Sequence, residues 1–238
     1  MSLAIDFVPL PNDLNLHSVI DMVVTTLDAR DPYTFEHSYR VAYISEMLAE
    51  AMSLPESQCR LIHHAAHLHD IGKIGVSDKV LNKPGKLTNE ERLELQMHPS
   101  IGCTILSKTP EFATMARIVR HHHERWDGKG YPDGLKGEEI PIESRIIGLA
   151  DAFDDITSHR PYRATKSHEW ALEEIVRHIG SQFCRKCVEV FLTQRKKLKI
   201  GLYQSGKTAT CLHSPRRKSQ VSWHNTCIIL KTMCRQIL

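Results

Sequence analysis

The sequence predicts an all-α protein: a helical bundle interrupted by one glycine-rich loop and followed by a basic tail. Three observations carry this. Apolar residues recur at helical spacing, as in Val41, Ile44 and Leu48. Strand-like alternation never persists for six residues. Short turns containing Pro, Gly and Asn separate the periodic segments.

Taken in order, Pro11-Asn12-Asp13 precedes a helix from about Leu14 to Ala29. A second helix spans about His37–Met52. Pro55-Glu56 opens a third, with Leu61, Ala65 and Leu68 on one face, which ends at Gly72. Asn82-Lys83-Pro84-Gly85 is a turn. Thr88 and Glu91 have capping-box spacing for the next helix. His98-Pro99 breaks that helix and starts another. Pro110 opens a helix through Met115, Ile118 and His122. The stretch from Trp126 to Gly137 holds glycines at 128, 130, 134 and 137, which exclude a helix. A long helix begins near Pro141 with the stripe Ile142, Ile146, Leu149, Phe153 and Ile156. One more runs from about Ser167 to Ile179 and stops at Gly180.

Composition limits the class. The chain has 238 residues, 41% hydrophobic and 25% charged, enough for a real core. No window approaches the roughly 18 uninterrupted apolar residues of a membrane helix, and the N-terminus lacks the pattern of a signal peptide. The seven cysteines then read as reduced thiols of a cytoplasmic protein. The net charge of +3 hides an asymmetry. Glu189 is the last acid, and residues 190–238 hold ten Lys/Arg. Residues 1–15 read as a lead, 16–192 as the helical body and 193–238 as a solvated, disordered or non-native tail. Sequence-independent attraction of nucleic acid to that tail is the less favoured reading. Cys184 and Cys187, with Cys211, Cys227 and Cys234, match no zinc-finger spacing.

The 15 histidines are the second anomaly. A lone helical histidine is ordinarily a surface or hydrogen-bonded residue, and His17, His63, His64, His67, His168 and His178 are read so. Others stand at helix ends: His37, His69 with Asp70, His98, and the run His121–His123. Asp151 sits in an apolar helix, where an unpaired carboxylate costs several kcal/mol. Side chains at helix ends of a bundle can converge on one metal cavity. Adjacent His122 and His123 diverge by about 100° on a helix, so from a helix they would serve two ions.

Read together, these segments resemble the HD-GYP family. The resemblance rests on His37 with Arg40-Val41, His69-Asp70-Ile71-Gly72-Lys73, Lys83-Pro84-Gly85, His98-Pro99 with Gly102, and His122-His123-Glu124-Arg125 continuing to Gly130-Tyr131-Pro132. Asp151-Ala152-Phe153-Asp154 and Arg160-Pro161-Tyr162-Arg163 complete the set. It covers about Leu16 to Leu192 in order. The resemblance implies an HD-type helical bundle, a bimetal centre and hydrolysis of cyclic di-GMP to linear dinucleotide, mononucleotide or both. The implied metal ligands are His37, His69, Asp70, His98, His122, His123 and Asp151, with Asp70 bridging. Tyr33 stands where members with a third metal carry an acid, so two ions are implied. The chain departs from the family at Asp154-Asp155-Ile156 and at Gln182-Phe183-Cys184-Arg185; neither departure removes a ligand.

The chemistry suits these residues. Two ions roughly 3.5–4 Å apart can share a water, lower its pKa and neutralise a phosphodiester. Imidazole and carboxylate donors favour borderline ions such as Fe, Mn, Zn or Co; the resemblance points to Fe or Mn. Asp70 and Lys73 are the candidate catalytic residues, Lys73 donating to a phosphate oxygen or to the attacking water. Gly130 and Tyr131 on the glycine-rich loop, and Arg160 and Arg163, are the candidate substrate contacts, because a cyclic dinucleotide has a second phosphate to hold. The same loop offers a surface for a signalling-protein partner. Two other readings are a different HD-type nucleotide phosphohydrolase and a catalytically silent interaction module.

Overall fold

A computed structural model describes residues 16–30, 36–158 and 165–198. These form ten α-helices: α1 (Leu16–Arg30), α2 (His37–Ala51), α3 (Glu56–His67), α4 (Asp78–Leu81), α5 (Asn89–Leu95), α6 (His98–Leu106), α7 (Ala113–Arg120), α8 (Ile142–Thr157), α9 (His168–Arg177) and α10 (Arg185–Thr193). No strand occurs among the described residues; Ile179 and Phe183 form an isolated bridge.

Helix α2 is the axis of the bundle. Val41, Ala42, Ile44, Leu48 and Ala49 are fully buried, and α3 and α8 pack against them. Ile62 of α3, Ile146, Ile147 and Phe153 of α8, and Phe191 of α10 close the same core. Burying each such side chain contributes about 1.5–3 kcal/mol. Phe153 meets Phe191 edge-on with centroids 5.2 Å apart. A smaller cluster, including Ile20, Val24, Leu68, Ile71 and Val119, ties α1 to α6 and α7.

Several ends differ from the periodicity. The third helix stops at His67 rather than Gly72, and a 3-10 turn follows from Ile71 to Gly75. Leu68 N–H donates back to the carbonyls of His64 and Ala65, so the chain corners at His69 and Asp70. The reason is nonlocal. A Cβ on Gly72 would lie 1.8 Å from the His98 carbonyl oxygen and 2.5 Å from Gly102 N. That glycine admits the first turn of α6. Gly148 does the same on α8, where a Cβ would lie 2.5 Å from the His122 carbonyl oxygen. The seventh helix ends at Arg120, leaving His121–His123 in a turn. The capping box forms as read: Glu91 N–H donates to Thr88 Oγ1 at 3.3 Å and Thr88 N–H to Glu91 Oε2 at 2.8 Å.

The sequence placed the end of the bundle at Leu192. Helix α10 crosses that point, and Leu198 is 1% exposed within the main core. The packed chain therefore extends at least to Leu198. Tyr33, Arg160, Arg163, Cys211, Cys227 and Cys234 lie outside the described residues. Cys59, Cys103, Cys184 and Cys187 are free thiols. Among the described residues, no helix is long and apolar enough to cross a membrane.

Candidate metal centre

Four histidines arrive from four directions with the same nitrogen already engaged. His69, His98 and His122 each donate Nδ1–H to the carbonyl three residues back: Ala66 at 2.7 Å, Leu95 at 2.7 Å and Val119 at 2.5 Å. His37, at the start of α2, places Nδ1 2.7 Å from Asp154 Oδ2. With Nδ1 protonated and bonded outward, each ring presents Nε2 inward. Such outer contacts fix the tautomer and orientation of a ligating histidine.

Asp70 joins these rings. Its Oδ2 lies 3.8 Å from His37 Nε2, 3.3 Å from His69 Nε2 and 2.6 Å from Lys73 Nζ. Its Oδ1 lies 3.3 Å from His98 Nε2. Asp151 Oδ1 is 3.2 Å from His37 Nε2 and 3.8 Å from His69 Nε2. Three groups have donor atoms mutually within 4.8 Å: His37, His69 and Asp70; His37, Asp151 and Asp155; and His98, His122 and His123. All seven sequence-predicted ligands fall in these groups.

His122 and His123 share one group, unlike the expectation for two adjacent helical residues. The physical reason is that α7 has ended. The turn brings their ring centroids to 4.1 Å, which helical spacing forbids.

The electrostatics divide the site. Burial opposes protonation of His37, but its bonds to Asp151 and Asp154 outweigh this and push its pKa up to about 10. Burial likewise opposes the charge on His69, and the neighbouring Asp70 overcomes it. Asp70 and Asp151 remain ionised despite burial because of His69, Lys73 and His37 around them. The other rings behave oppositely. Burial lowers His98 to about 3, and burial with imidazole crowding lowers His122; burial lowers His123 too. They are neutral donors at pH 7.

The residues fit divalent ions on this structure's own terms. His69 Nε2 is buried without a hydrogen-bond partner. Two carboxylates, each largely buried, face it and its neighbours. Neutral Nε2 and ionised carboxylate oxygen are the donors that borderline transition metals take.

Sequence reading missed the groups that hold these ligands. Asp154 is 1% exposed. It accepts from Arg40 Nε at 2.6 Å, Arg40 Nη2 at 3.0 Å and Ser158 Oγ at 3.0 Å, besides His37. The signal was available: a second acid three residues after Asp151 on an apolar helix. Glu124 was also missed. Its Oε1 accepts from Asp133 N–H at 2.7 Å and Gly134 N–H at 3.0 Å, folding the glycine-rich loop back on itself. Arg120 clamps Asp133 through two nitrogens, at 2.7 and 2.6 Å.

The candidate substrate residues on the loop are placed by packing. Gly130 lies against the backbone of residues 123–125, where a Cβ would be 2.4 Å from Arg125 N. Tyr131 follows with a cis bond to Pro132. Its ring stacks on His123, centroids 4.9 Å apart and 29° between planes, so one of its faces is already covered. Beside the imidazole group a cavity of about 170 Å³ is lined by His123, Arg125, Trp126, Arg145 and Asp151.

A helical bundle whose corners gather histidines and carboxylates into ion-holding groups is the architecture of an HD domain. The chain belongs to the HD-domain family, whose model matches residues 21–186, and its motifs resemble those of the HD-GYP group within it. It is 41% identical over 209 residues to a cyclic di-GMP phosphodiesterase of Thermotoga maritima, covering 87% of this chain and 56% of that protein. It is 40% identical over 181 residues to a cyclic di-GMP phosphodiesterase response regulator of Xanthomonas campestris, covering 75% of this chain and 48% of that one. The chain thus spans about half the length of these relatives. In three dimensions it resembles a cyclic GMP-AMP specific phosphodiesterase of Vibrio cholerae, with a TM-score of 0.62 at 24% identity, covering 82% of this chain and 51% of that one. That likeness concerns the fold. Phosphodiesterases of the HD-domain family are metal-dependent, in keeping with the His/Asp groups here.

Proposed function

We propose that this chain hydrolyses cyclic di-GMP at a two-ion centre, giving the linear dinucleotide, the mononucleotide or both. The observation that carries the reading is Asp70, whose two oxygens face two different donor groups. His37, His69 and Asp151 would hold one ion and His98, His122 and His123 the other, with Asp70 available to both. Fe or Mn is favoured. When bound, such a pair supplies Lewis acidity to a phosphate oxygen and lowers the pKa of a water between the ions.

The protein's own groups position and neutralise. Asp154 orients His37 and, through Arg40, is itself held in place. Burial opposes the charge on Lys73, but the adjacent Asp70 carboxylate keeps it protonated. Lys73 therefore serves as a fixed cation and donor toward a non-bridging phosphate oxygen, not as a base. The uncovered face of Tyr131 meets a guanine, and Arg160 and Arg163 take the second phosphate. The glycine-rich loop, pinned by Glu124, forms the wall and a surface for a signalling partner. The folded unit includes Leu198, and Leu198→Ala should cost about 2–5 kcal/mol of stability.

The test uses the full chain reconstituted separately with Fe2+ and Mn2+. Cyclic di-GMP should be converted to linear products, resolved by ion-pair chromatography, with two equivalents of metal per chain. Preferential conversion of cyclic GMP-AMP would overturn the substrate assignment. No turnover of either compound in a doubly loaded protein would overturn the enzyme reading.

A further inference from the structure

Two cysteines outside the HD centre are placed for chemistry that hydrolysis does not use. Cys184 caps the N-terminus of α10, and Cys187 stands three residues on, in its first turn. Both are free thiols. The Cys184 sulfur accepts from the Cys187 thiol and from the Cys187 N–H. It also faces a cation: Arg145 Nη1 of α8 donates to Cys184 Sγ at 3.8 Å. The Arg145 guanidinium carbon lies 5.6 Å over the Trp126 ring, and its Nε is buried without a hydrogen-bond partner. Cys187 is sealed in the core, whereas Cys184 lines the cavity of about 170 Å³ beside the imidazole group.

These surroundings make the two thiols unequal. A helix N-terminus, a neighbouring Arg and a Cys-x-x-Cys spacing each favour thiolate, and Cys184 has all three. The donated Cys187 thiol outweighs burial and, with the Cys187 N–H and Arg145, pushes the Cys184 thiol down to about 5. The same bond and burial push Cys187 up, against Arg145 and Lys186. One sulfur is thus a thiolate at pH 7 and its neighbour a protonated thiol. Cys59 shows the contrary case, raised by burial and by Glu50 and Glu46. The cavity has room for a small oxidant, since a water molecule takes about 30 Å³.

We propose that Cys184 and Cys187 form a peroxide-reactive dithiol, with Cys184 as the attacking sulfur and Cys187 as the resolving one. The Cys184 thiolate attacks the O–O bond of hydrogen peroxide, giving Cys184 sulfenic acid and hydroxide. The Cys187 sulfur then attacks the sulfenic sulfur. An S–S bond forms, and the sulfenic oxygen leaves with the Cys187 proton as water. The two sulfurs together lose two electrons, which reduce the peroxide to water and hydroxide. Closure removes the negative charge that Arg145 faces.

The experiment treats the full chain with one equivalent of hydrogen peroxide at pH 7, loaded with Mn2+ because Fe2+ itself reduces peroxide. Remaining thiols are alkylated before digestion. Trypsin cuts after Arg185 and Lys186, so the two cysteines fall in separate peptides that only a disulfide joins. Mass spectrometry should find residues 178–185 linked to 187–195, with Cys59 and Cys103 alkylated, and dithiothreitol should part the pair. Cys187→Ser, shown folded by circular dichroism, should stop at the sulfenic acid, trapped on Cys184 by dimedone. Loss of the free Cys184 thiol should change less than about twofold in rate between pH 6.5 and 8.5, where an ordinary thiol gains roughly 50-fold in thiolate. Absence of the linked pair would overturn the proposal. So would a bridge from Cys184 to Cys211, Cys227 or Cys234, or dimedone on Cys59 or Cys103 ahead of Cys184. None of these readouts depends on cyclic di-GMP turnover, so the dithiol and the proposed function stand or fall separately.

Discussion

The two halves of the HD centre are built from the same ring in opposite electrical states. Around His37 and His69, the buried carboxylates of Asp151, Asp154 and Asp70 raise the imidazole pKa, that of His37 to about 10. Around His98, His122 and His123 the carboxylates act more weakly, Asp70 Oδ1 on His98 and Asp151 with Asp70 on His123, and burial keeps the rings neutral. The difference teaches what each half must do to accept a cation. The imidazole half presents lone pairs already. The carboxylate half must first release a proton from His37, and its two anions repay that loss by Coulombic attraction. Metal binding there is therefore the more steeply pH-dependent of the two.

The most damaging test removes the one group the halves share. Asp70→Ala should bring cyclic di-GMP hydrolysis below detection and lower the metal content of both halves. Single-ligand variants then separate them: His98→Ala should release one equivalent and His69→Ala the other, by elemental analysis. If His98→Ala and His69→Ala each empty both halves, the halves are not independent and the comparison fails.

A smaller loss should follow from the outer carboxylate. Asp154 touches only the carboxylate half, through His37. Asp154→Asn keeps the shape but removes the charge that orients His37 and pairs with Arg40. Metal affinity of that half should fall about 10–100-fold, with the imidazole half unchanged. Equal weakening of both would mean that Asp154 supports the fold rather than one half.

How much of this was legible depends on the range of the signal. The helical periodicity of α2 and α8 and the capping box at Thr88 are local, and they were readable. Six of the seven predicted ligands are motif residues at or beside helix ends and Asp151 lies within α8, and all seven fall in the donor groups. Helix ends were less readable. Nothing local in α7 says that the helix stops at Arg120; the turn after it is set by packing of the His122 backbone against Gly148 on α8. The pairing of His122 with His123 was therefore misjudged. Asp154 was visible as a departure from the family pattern, but its partner Arg40 lies 114 positions away.

The finest test of the comparison is pH, read on protein stripped of metal by a chelator. His98 has a native pKa of about 3 against an ordinary 6.5. Between those values the unfolded chain takes up a proton that the native ring refuses. Stability from this half is thus lost as pH falls from 6.5 toward 3. His37 is shifted the other way, to about 10. Between 6.5 and 10 the native ring keeps a proton that the unfolded chain gives up. Its contribution is full below 6.5 and is lost as pH rises toward 10. The titrations of Asp151 and Asp154, held low by these same partners, fall at or below about pH 4 and leave the alkaline limb untouched. The melting temperature of the stripped protein should therefore decline on both sides of neutrality, for different reasons on each side. His98→Asn should make the acid limb shallower, with His64, His67, His122 and His123 still contributing to it, and leave the alkaline limb unchanged. Reloading metal should remove the alkaline decline, because a ligating His37 no longer carries that proton. A stripped protein whose melting temperature climbs from pH 7 to pH 9.5 would show that His37 is not held protonated, and the contrast between the halves would disappear.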